Sequence, residues 1–188
     1  MITVVSGLPR SGTSLMMQML AAGGMEVLTD GQRSPDADNP QGYYELERVK
    51  RLKEDSSWLA DADGKAIKVV STLLYDLPLD YQYCVIFMKR RMDEVLASQR
   101  KMLQRLKAND RQVSDAQMRI YFATHLERLE KWLPTVARLA VSYCDYNELV
   151  QKPADVAEQV ARFLDCQMDV ERMASLVDAT LYRNRQAR

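Results

Sequence analysis

Residues 3–20 run Thr3-Val4-Val5-Ser6-Gly7-Leu8-Pro9-Arg10-Ser11-Gly12-Thr13-Ser14-Leu15-Met16-Met17-Gln18-Met19-Leu20. The apolar, β-branched start breaks at Gly7, and from Thr13 the apolar residues recur at helical spacing. The stretch therefore predicts a strand, a glycine loop and a helix. A helix entered in this way turns its unpaired N–H groups and the positive end of its dipole toward the loop. Such a loop is built to hold an anion.

The spacing Gly7-x-x-x-x-Gly12-Thr13-Ser14 comes close to the P-loop pattern G-x-x-x-x-G-K-[ST]. Thr13 stands where the lysine would be, and the cation lies further back, at Arg10. A guanidinium can grip phosphate-type oxygens in a forked geometry without a lysine or a metal. A turn that only joined strand to helix would need neither Arg10 nor the hydroxyls of Ser11, Thr13 and Ser14.

The 188 residues suffice for one domain, spanning 1–188, with a sizeable core. Lysine plus arginine balance aspartate plus glutamate at 26 each, so no global field recruits nucleic acid or an anionic membrane. The first strand starts at the second residue and no apolar run approaches a bilayer span, which predicts a soluble, cytoplasmic chain. Cys84, Cys144 and Cys166 lack metal-ligand spacing and are expected as reduced, mostly buried thiols. With a single histidine, His125, a zinc site is not expected.

Further along, Ala66 to Val70 forms a second apolar strand, Tyr83 to Met88 a third with no polar alternation, and Leu139 to Tyr143 a fourth. Apolar strands separated by helical patterns predict an α/β fold: a P-loop-like, three-layer arrangement with a largely parallel central sheet flanked by helices. Helices are expected from about Glu45 to Trp58, from Met92 to about Lys107, from a Ser114/Gln117 capping box to near Pro134, from Pro153 through Leu164, and after the cap Asp169. The polar segment Thr29 to Gly42 is too long for a tight connection and is expected to fold back over the site.

In parallel sheets ligands bind beyond the carboxyl ends of the strands, so the residues after the third strand are informative. They are Lys89-Arg90-Arg91, where a phosphoryl-transfer enzyme would carry a magnesium-binding aspartate. A solvated basic face would explain the cluster, but its position at a strand end argues for a second anion.

With two anion sites at strand ends, the sequence resembles the sulfotransferase family that uses 3′-phosphoadenosine-5′-phosphosulfate as donor. Pro9-Arg10-Ser11-Gly12-Thr13-Ser14 resembles that family's 5′-phosphosulfate loop, and Arg90 with Ser98 its 3′-phosphate motif. Asn39-Pro40-Gln41-Gly42-Tyr43-Tyr44-Glu45 resembles the N-P-x-G-[FY]-[FY]-E segment of bacterial members. Tyr146-Asn147-Glu148-Leu149 is similar to Y-E-D-L, whose tyrosine lies near the adenine. The likeness runs in order from about residue 3 to 165.

The resemblance implies transfer of a sulfuryl group to a hydroxyl or amine of a small-molecule, carbohydrate or lipid acceptor, without a metal, leaving adenosine 3′,5′-bisphosphate. Arg10, Ser11, Gly12, Thr13 and Ser14 would hold the 5′ end, Arg90 and Ser98 the 3′-phosphate, and Tyr146 the base. Arg10 and Lys68 would stabilise charge on the bridging oxygen, and Arg183 and Arg185 stand in for a basic C-terminal segment. Cytosolic members place a catalytic histidine two residues after the strand lysine, where this chain has Val70. Glu45, shielded by two tyrosines, is the expected proton acceptor, with Asp38 in reserve. The chain is shorter than most members, which leaves a small acceptor or a second copy to complete the pocket. Two other readings stand beside this one: a metal-dependent nucleotide or small-molecule kinase, and a catalytically silent nucleotide-binding module.

Overall fold

The structure, a computed structural model, describes residues 1–32, 36, 42–105 and 113–177. Four strands form its sheet: β1 (Ile2–Gly7), β2 (Ala66–Val70), β3 (Tyr83–Lys89) and β4 (Leu139–Asp145). Their order is β2-β1-β3-β4 and every pairing is parallel. The helices are α1 (Thr13–Ala22), α2 (Met92–Arg105), α3 (Asp115–Trp132), α4 (Tyr146–Gln151), α5 (Pro153–Leu164) and α6 (Val170–Ser175).

All six residues of β1 are buried, because both faces of the sheet are covered. On one face Val5, Ala66, Ile86 and Met88 pack against Met16 and Leu20 of α1, Leu149 of α4 and Val156 and Val160 of α5. On the other, Val4, Ile67, Val69, Val85 and Phe87 meet Leu129 of α3 together with Trp58, Leu59 and Leu74. Alternate strand residues thus feed two apolar layers, which gives the expected three-layer α/β architecture. Met16, Met17, Met19 and Met173 are fully buried, their unbranched chains filling the helix side of the first layer.

Strands β2 and β3 flank β1 on opposite sides, so the strand order reverses there and the loops after β1 and β3 open onto one crevice. The outer edge of β2 is partly sealed by residues 26–28. Ala66 donates its N–H to Glu26 O at 2.8 Å, and Leu28 donates to Ala66 O at 2.9 Å.

Two local features depart from expectation. The helix expected from Glu45 to Trp58 is instead two 3₁₀ stretches, Glu47–Arg51 and Ser57–Ala62. The cause lies at Asp55, whose carboxylate accepts from both the N–H and the hydroxyl of Ser57 at 3.0 and 2.6 Å, a side-chain turn that competes with helix continuation. Conversely, β4 passes straight into α4, which periodicity over so short a span could not reveal. Asp145 starts that helix by accepting from the N–H groups of Asn147 and Glu148. The Ser114/Gln117 capping box, Pro153 at the start of α5 and the Asp169 cap of α6 all form as expected. Of the described residues, no helix is long and apolar enough to cross a membrane.

Candidate functional site

Register aligns the ends of the strands. Gly7 pairs with Val70 on one side and Met88 on the other, so the loop after β1, the end of β2 and the start of α2 emerge at one level. Gly7 has φ 150°, and a Cβ there would lie 2.4 Å from Ser11 Oγ and 2.7 Å from Met88 O. Gly12 has φ 102°, and its Cβ would lie 2.3 Å from Tyr146 Cδ2. Only glycine lets the loop lie this close to α4. Arg10 itself takes a positive φ of 70°, a backbone conformation that a non-glycine residue holds only when its surroundings enforce it.

The surroundings are specific. Arg10 donates its Nε to Ser98 Oγ at 2.9 Å, and the carbonyl of Arg10 accepts from Arg90 Nη1 at 3.1 Å. The sequence separates these residues by 80 positions or more, yet the two expected anion sites share one hydrogen-bonded group. Ser11 Oγ is buried and has no hydrogen-bond partner among the described residues. A buried hydroxyl of this kind inside a glycine loop suits an anion with acceptor oxygens.

Of the cluster Lys89-Arg90-Arg91, only Arg90 is shown turning inward. Lys89 reaches the exposed Glu130 at 2.7 Å and lies over the Tyr143 ring. The guanidinium of Arg90 stacks over Tyr146 at 4.2 Å and donates Nε to Glu94 Oε2 at 3.0 Å. Glu94 Oε1 in turn accepts from Asn147 Nδ2 at 3.0 Å. Where the Y-E-D-L pattern has glutamate, Asn147 supplies a donor that no carboxylate could supply. Burial raises the Tyr146 phenol above its ordinary value, and Arg90 partly offsets this.

On the β2 side, Lys68 is nearly buried. Its Nζ donates to the Tyr43 carbonyl, lies 3.4 Å from Ser14 Oγ and sits 3.5 Å from Glu45 Oε1. Ser14 Oγ also donates to Tyr43 O at 3.2 Å. The backbone of Glu45 is fixed by Thr29 and Asp30, which both donate to its carbonyl. The Tyr43 hydroxyl donates to Asp36 at 2.7 Å.

The structure thus brings Arg10, Ser11, Gly12, Arg90, Ser98 and Tyr146 into one cluster and links Ser14, Lys68 and Glu45 in another. Thr13 opens α1 between them. Asp38, Arg183, Arg185 and the Asn39-Pro40-Gln41 turn lie outside the described residues.

Sequence reasoning missed Glu94, although its spacing of four from Arg90 is that of a helical ion pair. It also missed the Tyr43 carbonyl, a backbone group that leaves no trace in the sequence. His125, read as a packing or surface residue, is half-buried with its Nε2 2.9 Å from Ser71 Oγ, just beyond the end of β2. Burial holds its pKa below the ordinary value. Among the described residues, no group of three or more His, Cys, Asp or Glu side chains could hold a metal ion.

The sulfotransferase domain family matches residues 2–188. Among solved structures, a sulfotransferase domain from the curacin biosynthetic pathway aligns with a TM-score of 0.56 at 16% identity, covering 96% of this chain and 88% of that one. A sulfotransferase from Alicyclobacillus acidocaldarius aligns with a TM-score of 0.51 at 14% identity, covering 96% and 98%. At these identities the likeness is one of fold. No curated protein matches the chain.

Proposed function

Because the chain belongs to the sulfotransferase domain family, we propose that it moves a sulfuryl group from 3′-phosphoadenosine-5′-phosphosulfate to a hydroxyl or amine of a small acceptor. The observation that carries the donor assignment is that the two expected anion sites adjoin: Arg10 of the loop donates to Ser98, and Arg90 donates to the Arg10 carbonyl. ATP or AMP would need one such site; a 3′,5′-disubstituted nucleotide needs both.

The residues present fit that donor. The buried Ser11 hydroxyl, the N–H groups at the start of α1 and Arg10 would hold its 5′ end. Arg90 and Ser98 would hold the 3′-phosphate, with Tyr146 beside them toward the base; Arg183 and Arg185 are proposed to add charge from the C-terminal segment. When bound, the donor supplies the sulfuryl group and leaves as adenosine 3′,5′-bisphosphate. Arg10 and Lys68 would stabilise charge growing at the 5′ end, which is electrostatic catalysis by groups already in position. Glu45, beside Lys68, would take the acceptor proton. No covalent intermediate on the protein is required. We place the protein in the cytoplasm.

The test is a thermal-shift series with adenosine 3′,5′-bisphosphate, AMP, and ATP with and without magnesium, since a ligand bound only by the folded state raises apparent stability. The bisphosphate should give the largest shift. An equal response to AMP, or a larger one to magnesium-ATP, would overturn the donor assignment and favour a kinase.

A further inference from the structure

We propose that Glu94 is a positioning residue for recognition of the 3′-phosphate, setting the plane of Arg90 without touching the nucleotide. This inference rests on the donor reading above. It starts from a carboxylate with 0% side-chain exposure, beside an arginine that is 8% exposed. An ion pair so deep is a poor stabilising device, because desolvation of both charges consumes most of their attraction. Such a pair is better explained by what it orients.

The orientation is defined on three sides. Glu94 Oε2 takes Arg90 Nε at 3.0 Å, the Arg10 carbonyl takes Nη1 at 3.1 Å, and the Tyr146 ring lies under the guanidinium at 4.2 Å. A guanidinium presents its donors in a rigid planar fork, so fixing its plane fixes where a phosphate can be gripped bidentately. Glu94 is itself fixed, because its other oxygen accepts from Asn147 Nδ2 at 3.0 Å. The chain of contacts thus runs from α4 through Glu94 to Arg90 and on to the loop after β1.

Glutamate meets both neighbours with oxygens and sets a full negative charge against the guanidinium. Each neighbour is a donor, and Glu94 answers with two acceptors. Glutamine can still accept from Arg90 Nε, and Asn147 can turn its own oxygen toward the new N–H, so what Glu94→Gln removes is the buried negative charge beside the guanidinium. Pairing that change with Asn147→Asp restores the charge: the glutamine oxygen takes Arg90, its amide donates to the carboxylate introduced on α4, and the buried negative charge is retained one side chain away.

The experiment measures dissociation constants for adenosine 3′,5′-bisphosphate and AMP by calorimetry on the full chain, with folding verified by circular dichroism and urea unfolding. The two ligands share the adenosine and the 5′-phosphate, so their affinity ratio isolates the 3′-phosphate from any general loss of stability. Wild type should prefer the bisphosphate. Glu94→Gln should reduce that preference about tenfold or more, the scale of a hydrogen bond to a charged group, while AMP affinity stays within about twofold. The double variant should recover most of the preference.

A Glu94→Gln protein with the wild-type ratio overturns the proposal, as does a double variant that folds normally yet stays unselective. Should Glu94→Gln fail to fold, Asn147→Ala decides, since it removes the second anchor and no charge. An unchanged ratio there also overturns the proposal. A wild-type protein with no preference sinks the donor reading instead, before any variant is compared.

Discussion

The Nε of Arg10 lies 2.9 Å from the hydroxyl of Ser98, joining the loop after β1 to the second turn of α2. Either residue alone would be a polar group near a strand end. Joined, and bound again through Arg90 to the Arg10 carbonyl, they tie the two proposed anion sites together. The spacing of the two proposed sites is then set by the fold as well as by the side chains.

Arg90→Ala should abolish most of the preference for adenosine 3′,5′-bisphosphate over AMP. Charge-assisted hydrogen bonds contribute about 1.5–3 kcal/mol each, so a loss of about 10- to 100-fold in bisphosphate affinity is expected, with AMP little affected. Calorimetric titration of both nucleotides checks it. Equal losses for the two would mean that Arg90 supports the loop generally and does not read the 3′ group.

Transfer should persist in EDTA. In the proposed mechanism Arg10 and Lys68 would supply positive charge where a phosphoryl-transfer enzyme uses a metal held by an acidic strand end; β3 ends at Lys89, followed by Arg90. The assay is turnover of the donor before and after chelation. Activity that disappears and returns with magnesium would favour a kinase-like mechanism.

Glu45→Gln should leave bisphosphate binding nearly unchanged and slow transfer about 10²-fold or more, the usual scale for losing a general base. Wild-type turnover in this variant would leave Glu45 only its ion pair with Lys68, and direct attention to Asp38.

Gly12→Ala should destabilise the fold by about 1–3 kcal/mol, because alanine is strained at φ 102° and its Cβ would enter the Tyr146 ring. Urea unfolding measures the loss. The same variant should bind the bisphosphate poorly, since the displaced ring is the one beneath Arg90. Wild-type stability would mean that the loop and α4 can separate without cost.

His125 provides a pH-dependent test. Burial depresses its pKa below the ordinary value of 6.5, so between the folded and unfolded values the unfolded chain binds more protons. Stability should therefore rise with pH in that window. The contribution is complete above about 6.5 and declines as the pH falls through the window toward the folded value. In urea melts between about pH 5 and 7.5, His125→Gln should flatten this part of the acid-side slope. An unaltered slope would assign it to other groups.

How far the sequence discloses the fold depends on the range of the forces involved. The strands β1, β2 and β3 are legible because burial forces mostly apolar runs, and the loop from Gly7 to Ser14 because glycine and hydroxyl spacing is local. The 3₁₀ stretches are hidden, since a single Asp55 side chain overrides the apolar pattern of Val49, Leu52 and Trp58. In the site, Arg10, Arg90 and Ser98 are individually visible by motif. Their mutual contacts are not, because the register of β1 against β3 brings them together across 80 residues or more. Glu94 lies between these cases: its spacing from Arg90 is local, but its partner Asn147 is distant.

The register of Gly7 with Met88, and of Met88 with Cys144, also bears on how the chain can vary in length. One residue inserted into β3 would advance Arg90 by about 3.3 Å and turn every following side chain to the opposite face, so the guanidinium would leave Tyr146 and the Arg10 carbonyl together. Deletion there is equally disruptive. Gains and losses of residues in descendants of this sequence should therefore avoid the three strands that end at the crevice and accumulate in connections remote from it. A library that samples insertions along the whole gene would reveal the crevice as a block intolerant of length change, before any acceptor is known.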